Sequence, residues 1–266
     1  MPNPFPLTRE SDATVDRLRE RMDAFYASSV EYSSFQRPSD HPQEWAHVKD
    51  AIRHHTSGQE PCRVLEVGAG RTGFAASLDD LRGSVHFTAQ DVTPFNADYL
   101  HAHADAIHIG ALSALQDRFD VIFSTFVLEH ISDPERSLEK LFELLNPGGV
   151  LLVFCPRYDF PFYISHSADH CSAPRRLALA LYVAARRLGT LLGGRPAFLI
   201  HTDPSFFHLP WEMDRDAIHW ASALDLRALF RGRGELRNLP LPSGGTKDWI
   251  VKNLLRINVS ITRKET

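Results

Sequence analysis

Cysteine is scarce in this chain of 266 residues. Only Cys62, Cys155 and Cys171 occur, and their wide spacing forms none of the paired groups that structural metal sites use. A small, odd number of cysteines does not build a disulfide framework either. The cysteine content therefore predicts free thiols in a reducing compartment.

A basic excess and long apolar runs are also missing. The net charge is −4 and the isoelectric point is about 6.4, whereas nucleic-acid-binding surfaces carry an excess of lysine and arginine. Residues 1–20 are polar and charged, unlike a secretory signal, and no apolar run reaches the roughly 18 residues that span a bilayer. We therefore expect a cytoplasmic protein that has no nucleic-acid partner.

Three glycines mark the most informative stretch, residues 63–73, which reads RVLEVGAGRTG. Branched apolar residues, a break at Gly68, Gly70 and Gly73, and a following helical pattern predict a strand, a tight turn and a helix. The glycines let the backbone approach a ligand closely, and the helix start directs free N–H groups toward it. Glu66 places a carboxylate directly before the turn.

Strand and helix patterns alternate along the chain. The predicted strands cover residues 63–67, 85–91, 101–106, 119–125 and 150–154, and two late strands cover 234–241 and 256–263. Helices are predicted from residue 11 and at 41–55, 74–81, 133–145, 174–192 and 214–231, and a short helix is predicted within 94–104. Five strands that alternate with helices indicate an α/β fold with a doubly wound, parallel sheet.

Two ligand classes fit the glycine turn. Gly68-x-Gly70-x-x-Gly73 matches the dinucleotide fingerprint. Asp91 follows at the end of the second strand, about twenty residues later, where a carboxylate accepts hydrogen bonds from ribose hydroxyls. These residues alone do not separate a nicotinamide dinucleotide from another ligand that contains adenosine.

Further motifs, taken in chain order, favour one class. The chain resembles the class I S-adenosylmethionine-dependent methyltransferases, in particular the type 11 group that acts on small molecules. Six motifs within residues 62–156 carry the resemblance: VLEVGAG at 64–70, Asp91, Asp105-Ala106, FDVI at 119–122, LEH at 128–130 and NPGG at 146–149. The resemblance implies a seven-stranded, mostly parallel Rossmann-like sheet with one antiparallel strand, and S-adenosylmethionine as the cofactor.

The resemblance also implies which residues bind the methyl donor. In the expected arrangement the methionine part of the donor faces Glu66, Gly68, Ala69 and Gly70. The ribose binds Asp91 beside Val92, and the adenine edge contacts Asp105 and Ala106. The methyl group lies near Thr125 and Phe126.

Candidate catalytic and acceptor residues follow the fourth and fifth strands. His130 is the candidate general base, since imidazole titrates near pH 6.5; the alternative is that it only structures the turn. His166 is a second candidate, at the rim of the acceptor cavity, because ligands bind at the carboxyl edge of such sheets. The residues expected to bind the acceptor are Tyr32, Tyr158, Tyr163 and His170.

No metal site is expected. The sequence His166-x-x-x-His170-Cys171 has ligand chemistry but lacks a convincing carboxylate partner. Some related methyltransferases use a Glu-x-x-Glu-His metal site, but here Phe126 occupies its first position.

We expect residues 1–61 to form a helical cap over the cofactor. Residues 62–266 are expected to form the catalytic domain, with an insertion at 157–212 that covers the acceptor. The helix at 174–192 has arginines near both ends, and we expect it to pack on the domain or form a dimer contact rather than lie on a membrane. The protein is expected to be a monomer or a homodimer.

The expected function is methyl transfer to a small molecule, onto oxygen rather than nitrogen or carbon. Histidine bases are available, and the Asn/Asp-Pro-Pro-aromatic element of enzymes that methylate amino groups of bases is absent after the fourth strand. Two alternatives stay open: a nicotinamide-dependent oxidoreductase, and a non-catalytic partner protein that binds S-adenosylmethionine.

Overall fold

The computed structural model describes residues 7–9, 13–28, 39–56 and 60–264. Its strands are Leu7–Arg9 (β1), Cys62–Val67 (β2), Val85–Asp91 (β3), Ala106–Ile109 (β4), Phe119–Thr125 (β5), Leu145–Pro156 (β6), Leu199–His201 (β7), Gly234–Asn238 (β8) and Arg256–Arg263 (β9). Its α-helices are Ala13–Ser28 (α1), Pro42–His55 (α2), Phe74–Ser77 (α3), Ala97–His103 (α4), Pro134–Glu143 (α5), Ala173–Leu191 (α6), Ala223–Leu229 (α7) and Thr246–Trp249 (α8).

Seven strands form the central sheet in the order β4-β3-β2-β5-β6-β9-β8. The pairs from β4 to β6 are parallel, and β9 is antiparallel to both of its neighbours. The chain runs outward from β2 to β4 and then returns to β5 on the other side of β2. In a sheet with this topology, ligands bind at the carboxyl edge near that reversal. The predicted doubly wound, mostly parallel sheet is therefore confirmed.

Helix α2 covers one face of the sheet. Trp45, Val48 and Ile52 recur at helical spacing, and they are buried in one cluster with Val64 of β2 and Phe123 of β5. Branched and aromatic residues suit such strands, because both faces of a parallel sheet are covered. The apolar stripe of α2 thus fixes this helix onto the central strands.

Helix α5 covers the opposite face. Its Leu138 and Leu141 are buried with Leu65 of β2 and Ile122 of β5, which point away from α2. Pro134 begins this helix, where the missing N–H of proline costs no hydrogen bond. Alternate residues of β2 and β5 therefore contribute to the core on opposite faces of the sheet.

The N-terminal elements attach to the predicted insertion. Strand β1 pairs antiparallel with β7 as a separate two-stranded sheet. In α1, Val15, Leu18 and Met22 are buried together with Ile200 and Ile218. Residue Ser39, just before α2, hydrogen bonds with the backbone of the glycine turn. The proposed division of the chain at residue 61 stays a prediction.

Several predicted elements differ in their bounds. The helix predicted at 74–81 ends at Ser77, and the strand predicted at 150–154 runs from Leu145 to Pro156. The short helix predicted within 94–104 is confirmed, and because it continues to His103 the third strand begins at Ala106 rather than residue 101. The helix predicted at 214–231 covers only Ala223–Leu229. The segment before it is extended, and it bonds to β7 through Ile218 O and the Trp220 N–H. The hydroxyl of Ser222 then accepts from the N–H groups of Leu224 and Asp225, which begins the helix there.

A buried ion pair joins α6 to α7. Arg187 donates to Asp225 Oδ2 at 2.5 Å and also to the carbonyl oxygen of Trp220. Asp225 is fully buried and further accepts from the backbone N–H groups of Ala197 and Phe198, at 2.8 and 3.0 Å. One of the arginines that flank α6 therefore belongs to the protein interior. Across the described ranges, no helix has the length and apolarity needed to cross a bilayer.

We predict that Asp225→Ala lowers the free energy of unfolding by about 3–5 kcal/mol, since it removes the buried carboxylate that pairs with the Arg187 cation and leaves the N–H groups of Ala197 and Phe198 without their acceptor. Urea unfolding followed by circular dichroism measures the change. Asp117→Ala is the control, because Asp117 pairs with Arg63 at 67% side-chain exposure, and it should leave the transition midpoint nearly unchanged. Equal midpoints for the two variants would show that the buried pair does not stabilise the fold.

Candidate functional site

The glycine turn lies at the carboxyl end of β2. Gly68 and Gly70 have φ angles of +66° and +54°, in the left-handed region that favours glycine. A Cβ atom on Gly68 would lie 2.5 Å from Cγ1 of Val127, so the turn packs closely against the segment after β5. A Cβ on Gly70 would meet no described atom within 4 Å. The turn is therefore packed on one side at Gly68 and open at Gly70.

The end of β3 holds the turn in place. The N–H of Ala69 donates to the carbonyl oxygen of Gln90 at 2.8 Å, and the N–H of Gly68 donates to the Gln90 side chain at 3.2 Å. The N–H of Gly70 donates to Asp91 Oδ2 at 2.9 Å, while Oδ1 accepts from the N–H of Thr93. Burial raises the pKa of Asp91. The predicted ribose carboxylate thus also fixes the backbone of the turn.

Exposed apolar surface lies beside Asp91. The next residue, Val92, is 58% exposed, and Phe95 is 49% exposed. An apolar side chain next to a hydrogen-bonding carboxylate suits a flat ring attached to a sugar. The geometry at Val92 is consistent with its predicted place beside adenine, although that role stays a prediction.

Glu66 is buried beneath the turn. Its carboxyl group bonds to the hydroxyl of Thr72, but Oε2 has no hydrogen-bond partner among the described residues. Burial raises the pKa of Glu66 to about 8. The carboxyl group is therefore mostly protonated at neutral pH, and a nearby cation would favour its ionised form.

Asp105 and Ala106 do not reach this edge. They lie at the start of β4, where Ala106 is opposite Thr88, whereas Asp91 is opposite Ile109 at the other end of the strand. The Asp105 carboxylate forms an ion pair with Arg82 at 2.6 Å, which lowers the pKa of the carboxyl group. The expected contact of these two residues with adenine is wrong, because the strand begins where we had expected it to end.

Gly110 and Ala111 take that position instead. The N–H of Gly110 donates to the carbonyl oxygen of Asp91 at 2.8 Å, and the carbonyl oxygen of Gly110 accepts from the Gln90 side chain. Both residues follow β4 directly at the carboxyl edge. Because β4 is of intermediate burial and lacks strong hydrophobic periodicity, the sequence did not indicate where this strand ends.

Thr125 and Phe126 follow β5 at the same edge. The hydroxyl of Thr125 is buried without a hydrogen-bond partner in the described part of the chain. Phe126 has a φ of +56°, an uncommon conformation for a large side chain. Its ring lies 5.2 Å from that of His41 and 4.9 Å from the guanidinium carbon of Arg256. The backbone here is held in a strained conformation next to Gly68 and Val127, as functional sites often are.

His130 contacts a buried carboxylate. Its Nδ1 lies 3.5 Å from Asp216 Oδ2 and 3.3 Å from the carbonyl oxygen of the same residue. Asp216 is 2% exposed, and Oδ2 also accepts from the hydroxyl of Tyr26 at 2.7 Å. Burial alone would lower the pKa of His130, but the surrounding carboxylates, Asp216 first, raise it above its usual value. This environment stabilises the protonated form of the imidazole.

Further acidic groups surround His130. Glu129 is fully buried, and neither carboxylate oxygen receives a hydrogen bond from another described residue. Burial raises the pKa of Glu129 to about 7, and His130 opposes that shift. Asp214 acts on both residues and has a φ of +67°. The sequence motifs did not reveal Asp214 and Asp216, because these residues lie more than eighty positions after His130 and in no recognisable motif.

The two predicted acceptor tyrosines lie near this acidic group. The rings of Tyr158 and Tyr163 stack with centroids 5.4 Å apart. Burial raises the pKa of each phenol, and the charges of Glu129 and Asp214 add to the effect. The structure therefore brings both tyrosines together with Glu129 and Asp214. Tyr32, the third predicted tyrosine, lies outside the described residues.

The structure places His166 and His170 elsewhere. The side chain of His166 is 64% exposed, and its Nδ1 lies 3.1 Å from Asp169. His170 is mostly buried beside Asp203 and Ser205. Within the described residues, the hydrogen bonds and ion pairs of these two histidines do not involve His130. The catalytic role of His166 and the acceptor contact of His170 stay predictions.

A family model described as a methyltransferase domain matches residues 18–235. Among curated proteins, the ubiquinone biosynthesis O-methyltransferase of Chelativorans sp. (strain BNC1) is 28% identical over 127 residues, which cover 42% of this chain and 50% of that protein. The protein of the same name from Cereibacter sphaeroides (strain KD131) is 31% identical over 102 residues, 35% of this chain and 40% of that protein. The matches thus span half or less of these relatives.

Among solved structures, the plantazolicin methyltransferase BpumL, in complex with a monoazolic analogue and SAH, has a TM-score of 0.51. It is 9% identical, and the superposition covers 95% of this chain and 100% of that protein. At such low identity, the likeness shows the fold alone.

We predict that Gly68→Ala lowers the free energy of unfolding by about 2–4 kcal/mol, because its Cβ meets Val127 in a left-handed backbone. Gly70→Ala is the matched control, since it adds the same methyl group at a similar φ into open space. It should cost about 1–2 kcal/mol, the strain alone. Urea unfolding of both variants measures the difference.

Adding Val127→Ala to Gly68→Ala should recover part of the loss, whereas adding it to Gly70→Ala should not. An additive result in both backgrounds would show that the turn and Val127 do not contact each other as described.

Proposed function

The chain belongs to the methyltransferase-domain family, and we propose that it transfers the methyl group of S-adenosylmethionine to an oxygen atom of a small organic acceptor. The observation that carries the choice of oxygen is the contact between His130 and the buried carboxylate of Asp216 at the carboxyl edge of the sheet. The curated relatives named above are O-methyltransferases, which supports the same choice.

S-adenosylmethionine is the methyl donor. Its cationic methionine end suits the turn above Glu66, whose buried carboxyl group gains a charge partner. Its ribose suits Asp91, and its adenine suits the exposed Val92 and the backbone of Gly110 and Ala111. The open space at Gly70 permits the close approach that such a ligand needs.

The hydrogen bonds of the turn favour this donor over a nicotinamide dinucleotide. A dinucleotide turn presents free N–H groups to a pyrophosphate. Here the N–H groups of Gly68, Ala69 and Gly70 all donate within the protein, to Gln90 and Asp91. The helix that follows has only four residues, so it adds a small dipole. The site therefore suits a cation better than it suits an anion.

The chemistry requires alignment more than activation. A sulfonium methyl group is already electrophilic, so the enzyme mainly holds the acceptor oxygen in line with it and excludes water. A hydroxyl acceptor also has to lose its proton to a base. In this proposal His130 accepts that proton at the imidazole, and Asp216 and Glu129 stabilise the imidazolium that forms. Tyr158 and Tyr163 form part of the wall that holds the acceptor.

We predict that donor binding releases a proton from Glu66. At pH 7 this carboxyl group, with a pKa of about 8, is mostly protonated, and a bound cation would ionise it. Affinity for S-adenosylmethionine should therefore rise between pH 6 and 7.5, by up to about tenfold per pH unit. Calorimetry in two buffers of different ionisation enthalpy counts the released proton.

Glu66→Gln is the control for this experiment, because it keeps the shape but has no proton to release. The variant should bind more weakly and without the pH dependence. The same titration with NAD should give no heat of binding. If NAD bound and S-adenosylmethionine did not, the proposed donor would be wrong.

We predict that kcat/KM for the acceptor, measured at saturating S-adenosylmethionine, rises with pH and levels off above the pKa of His130, which lies above its usual value of 6.5. The reason is that only the neutral imidazole accepts a proton. Asp216→Asn removes the nearest charge, so the rise should move to lower pH. His130→Gln should reduce the rate about 10²–10⁴-fold and abolish the rise.

The control is His101→Gln, which removes an exposed histidine from α4 and should leave the profile unchanged. A rate that stays independent of pH between 6 and 9 in wild type and in His130→Gln would contradict the role of His130 as a base.

A further inference from the structure

Three side chains with metal-ligand chemistry converge within the insertion. One ligand atom from each of His170, Asp203 and His208 lies within 4.8 Å of the other two. Asp203 contacts both rings: Oδ1 lies 2.7 Å from His208 Nε2, and Oδ2 lies 3.7 Å from His170 Nε2. The two imidazole rings stack with centroids 4.5 Å apart and planes inclined by 25°. The carboxylate that the sequence pattern lacked therefore comes from a separate segment of the chain.

Hydrogen bonding fixes which nitrogen of His170 is available. Nδ1 lies 2.9 Å from the hydroxyl oxygen of Ser205. That hydroxyl has a single proton, which it donates to the carbonyl oxygen of Ser167 at 2.7 Å. Ser205 must therefore accept from His170, so Nδ1 has the proton in the neutral ring. Its Nε2 then has the lone pair, and it lies 3.7 Å from Asp203 Oδ2 and 3.6 Å from Sγ of Cys171.

This arrangement leaves two acceptors close to each other. The Nε2 lone pair of His170 and the Asp203 carboxylate are 3.7 Å apart, beyond a hydrogen bond. Two ligand atoms on a tetrahedral zinc ion are separated by about 3.3 Å, given metal–ligand distances of about 2.0–2.1 Å. The observed separations, 2.7 Å, 3.7 Å and at most 4.8 Å, lie on both sides of that value, so side-chain adjustment is needed to place a cation between these groups.

We propose that His170, Asp203 and His208 bind a zinc ion. Two imidazoles and one carboxylate are a ligand set that zinc accepts, and a fourth position is left for water. On His208 the ion takes the place of the proton that Nε2 now shares with Asp203. The side chains of Asp203 and His208 are 39% and 44% exposed, so the ion has a path from solvent. Magnesium is a poor match, because it prefers oxygen ligands.

Ser205 supports the site on both sides. Its hydroxyl orients the His170 ring and also accepts from the His170 backbone N–H at 3.1 Å, and its carbonyl oxygen accepts from the N–H of His208 at 2.9 Å. Such partners of metal ligands set ring orientation and tautomer. Ser205 therefore joins the His170 ring to the backbone of His208 before an ion arrives.

The position of the site indicates a structural role. His201 lies behind His170, with ring centroids 6.1 Å apart, and Trp220 lies between His201 and Tyr158. The side chains of His201, Trp220 and Tyr158 are all buried. The zinc ion would thus join two segments of the insertion, one ending at His170 and the other running from Asp203 to His208. It would stiffen the wall behind the proposed acceptor residues without contacting the acceptor.

Equilibrium dialysis of the full chain against Zn²⁺, followed by elemental analysis, tests the proposal. Wild type should retain about one zinc ion per chain, and Zn²⁺ should raise its Tm. Asp203→Asn and His208→Gln keep the shape of two partly exposed residues, and each should bind zinc at least tenfold more weakly. Mg²⁺ should neither bind nor raise the Tm.

His166→Gln is the matched control, because it removes a histidine from the same insertion that pairs with Asp169 instead. This variant should keep the zinc stoichiometry of wild type. Co²⁺ in place of zinc should give the visible absorption of a tetrahedral ion in wild type and in His166→Gln, but not in Asp203→Asn. Equal zinc retention by wild type and Asp203→Asn, or loss of zinc in His166→Gln alone, would overturn the proposed ligands.

Discussion

The hydrogen bonds between the glycine turn and the end of β3 are the interaction on which the site depends. Three consecutive N–H groups, those of residues 68–70, donate to Gln90 and Asp91. Gln90 also donates to the carbonyl oxygen of Gly110, so one side chain joins the ends of β2, β3 and β4. The edge of the sheet is therefore rigid before a ligand binds. The N–H groups that could bind a phosphate already donate to Gln90 and Asp91. For this reason the match to the dinucleotide fingerprint does not imply that the turn binds a dinucleotide.

Burial of carboxyl groups is the second constraint. Glu66 lies one residue before the end of β2 and Glu129 follows β5, and these two strands are neighbours in the sheet. Burial raises the pKa of the first to about 8 and that of the second to about 7. Neither carboxyl group is fully satisfied by hydrogen bonds within the described residues. At pH 7 Glu66 is therefore mostly protonated and Glu129 is about half ionised, and a cation that enters the site favours the ionised form of both.

Sequence patterns predicted the parts of the fold that depend on local apolar runs. The bounds of β3, β5 and β9 agree with their predicted ranges, because continuous branched residues leave little choice of structure. The patterns failed where contacts with residues far away in the sequence determine the local structure. Residues 217–221 are extended because they bond to β7, although their composition suits a helix. Asp105 was misplaced because β4 is short and only partly buried.

The same distinction applies to the site. Glu66, Gly68 and Asp91 were found because they lie in a motif of fixed spacing, whereas Asp203, Asp214 and Asp216 were missed because no motif contains them. Each of these three carboxylates reaches a histidine from far along the chain. Spacing in sequence therefore predicts a turn and its neighbours, but it does not predict which acid will set the charge of a histidine.

The surroundings of His130 depend on the packing of α1. His130 follows β5, Asp216 belongs to the region after the insertion, and the hydroxyl of Tyr26 in α1 donates to the same Asp216 oxygen. Arg19 of α1 also donates to Ser132, two residues after His130. Because α1 buries its apolar face against the insertion, the packing that holds it there also positions Asp216. The pKa of His130 therefore depends on the packing of α1, a helix whose buried apolar residues cluster with residues outside the central sheet.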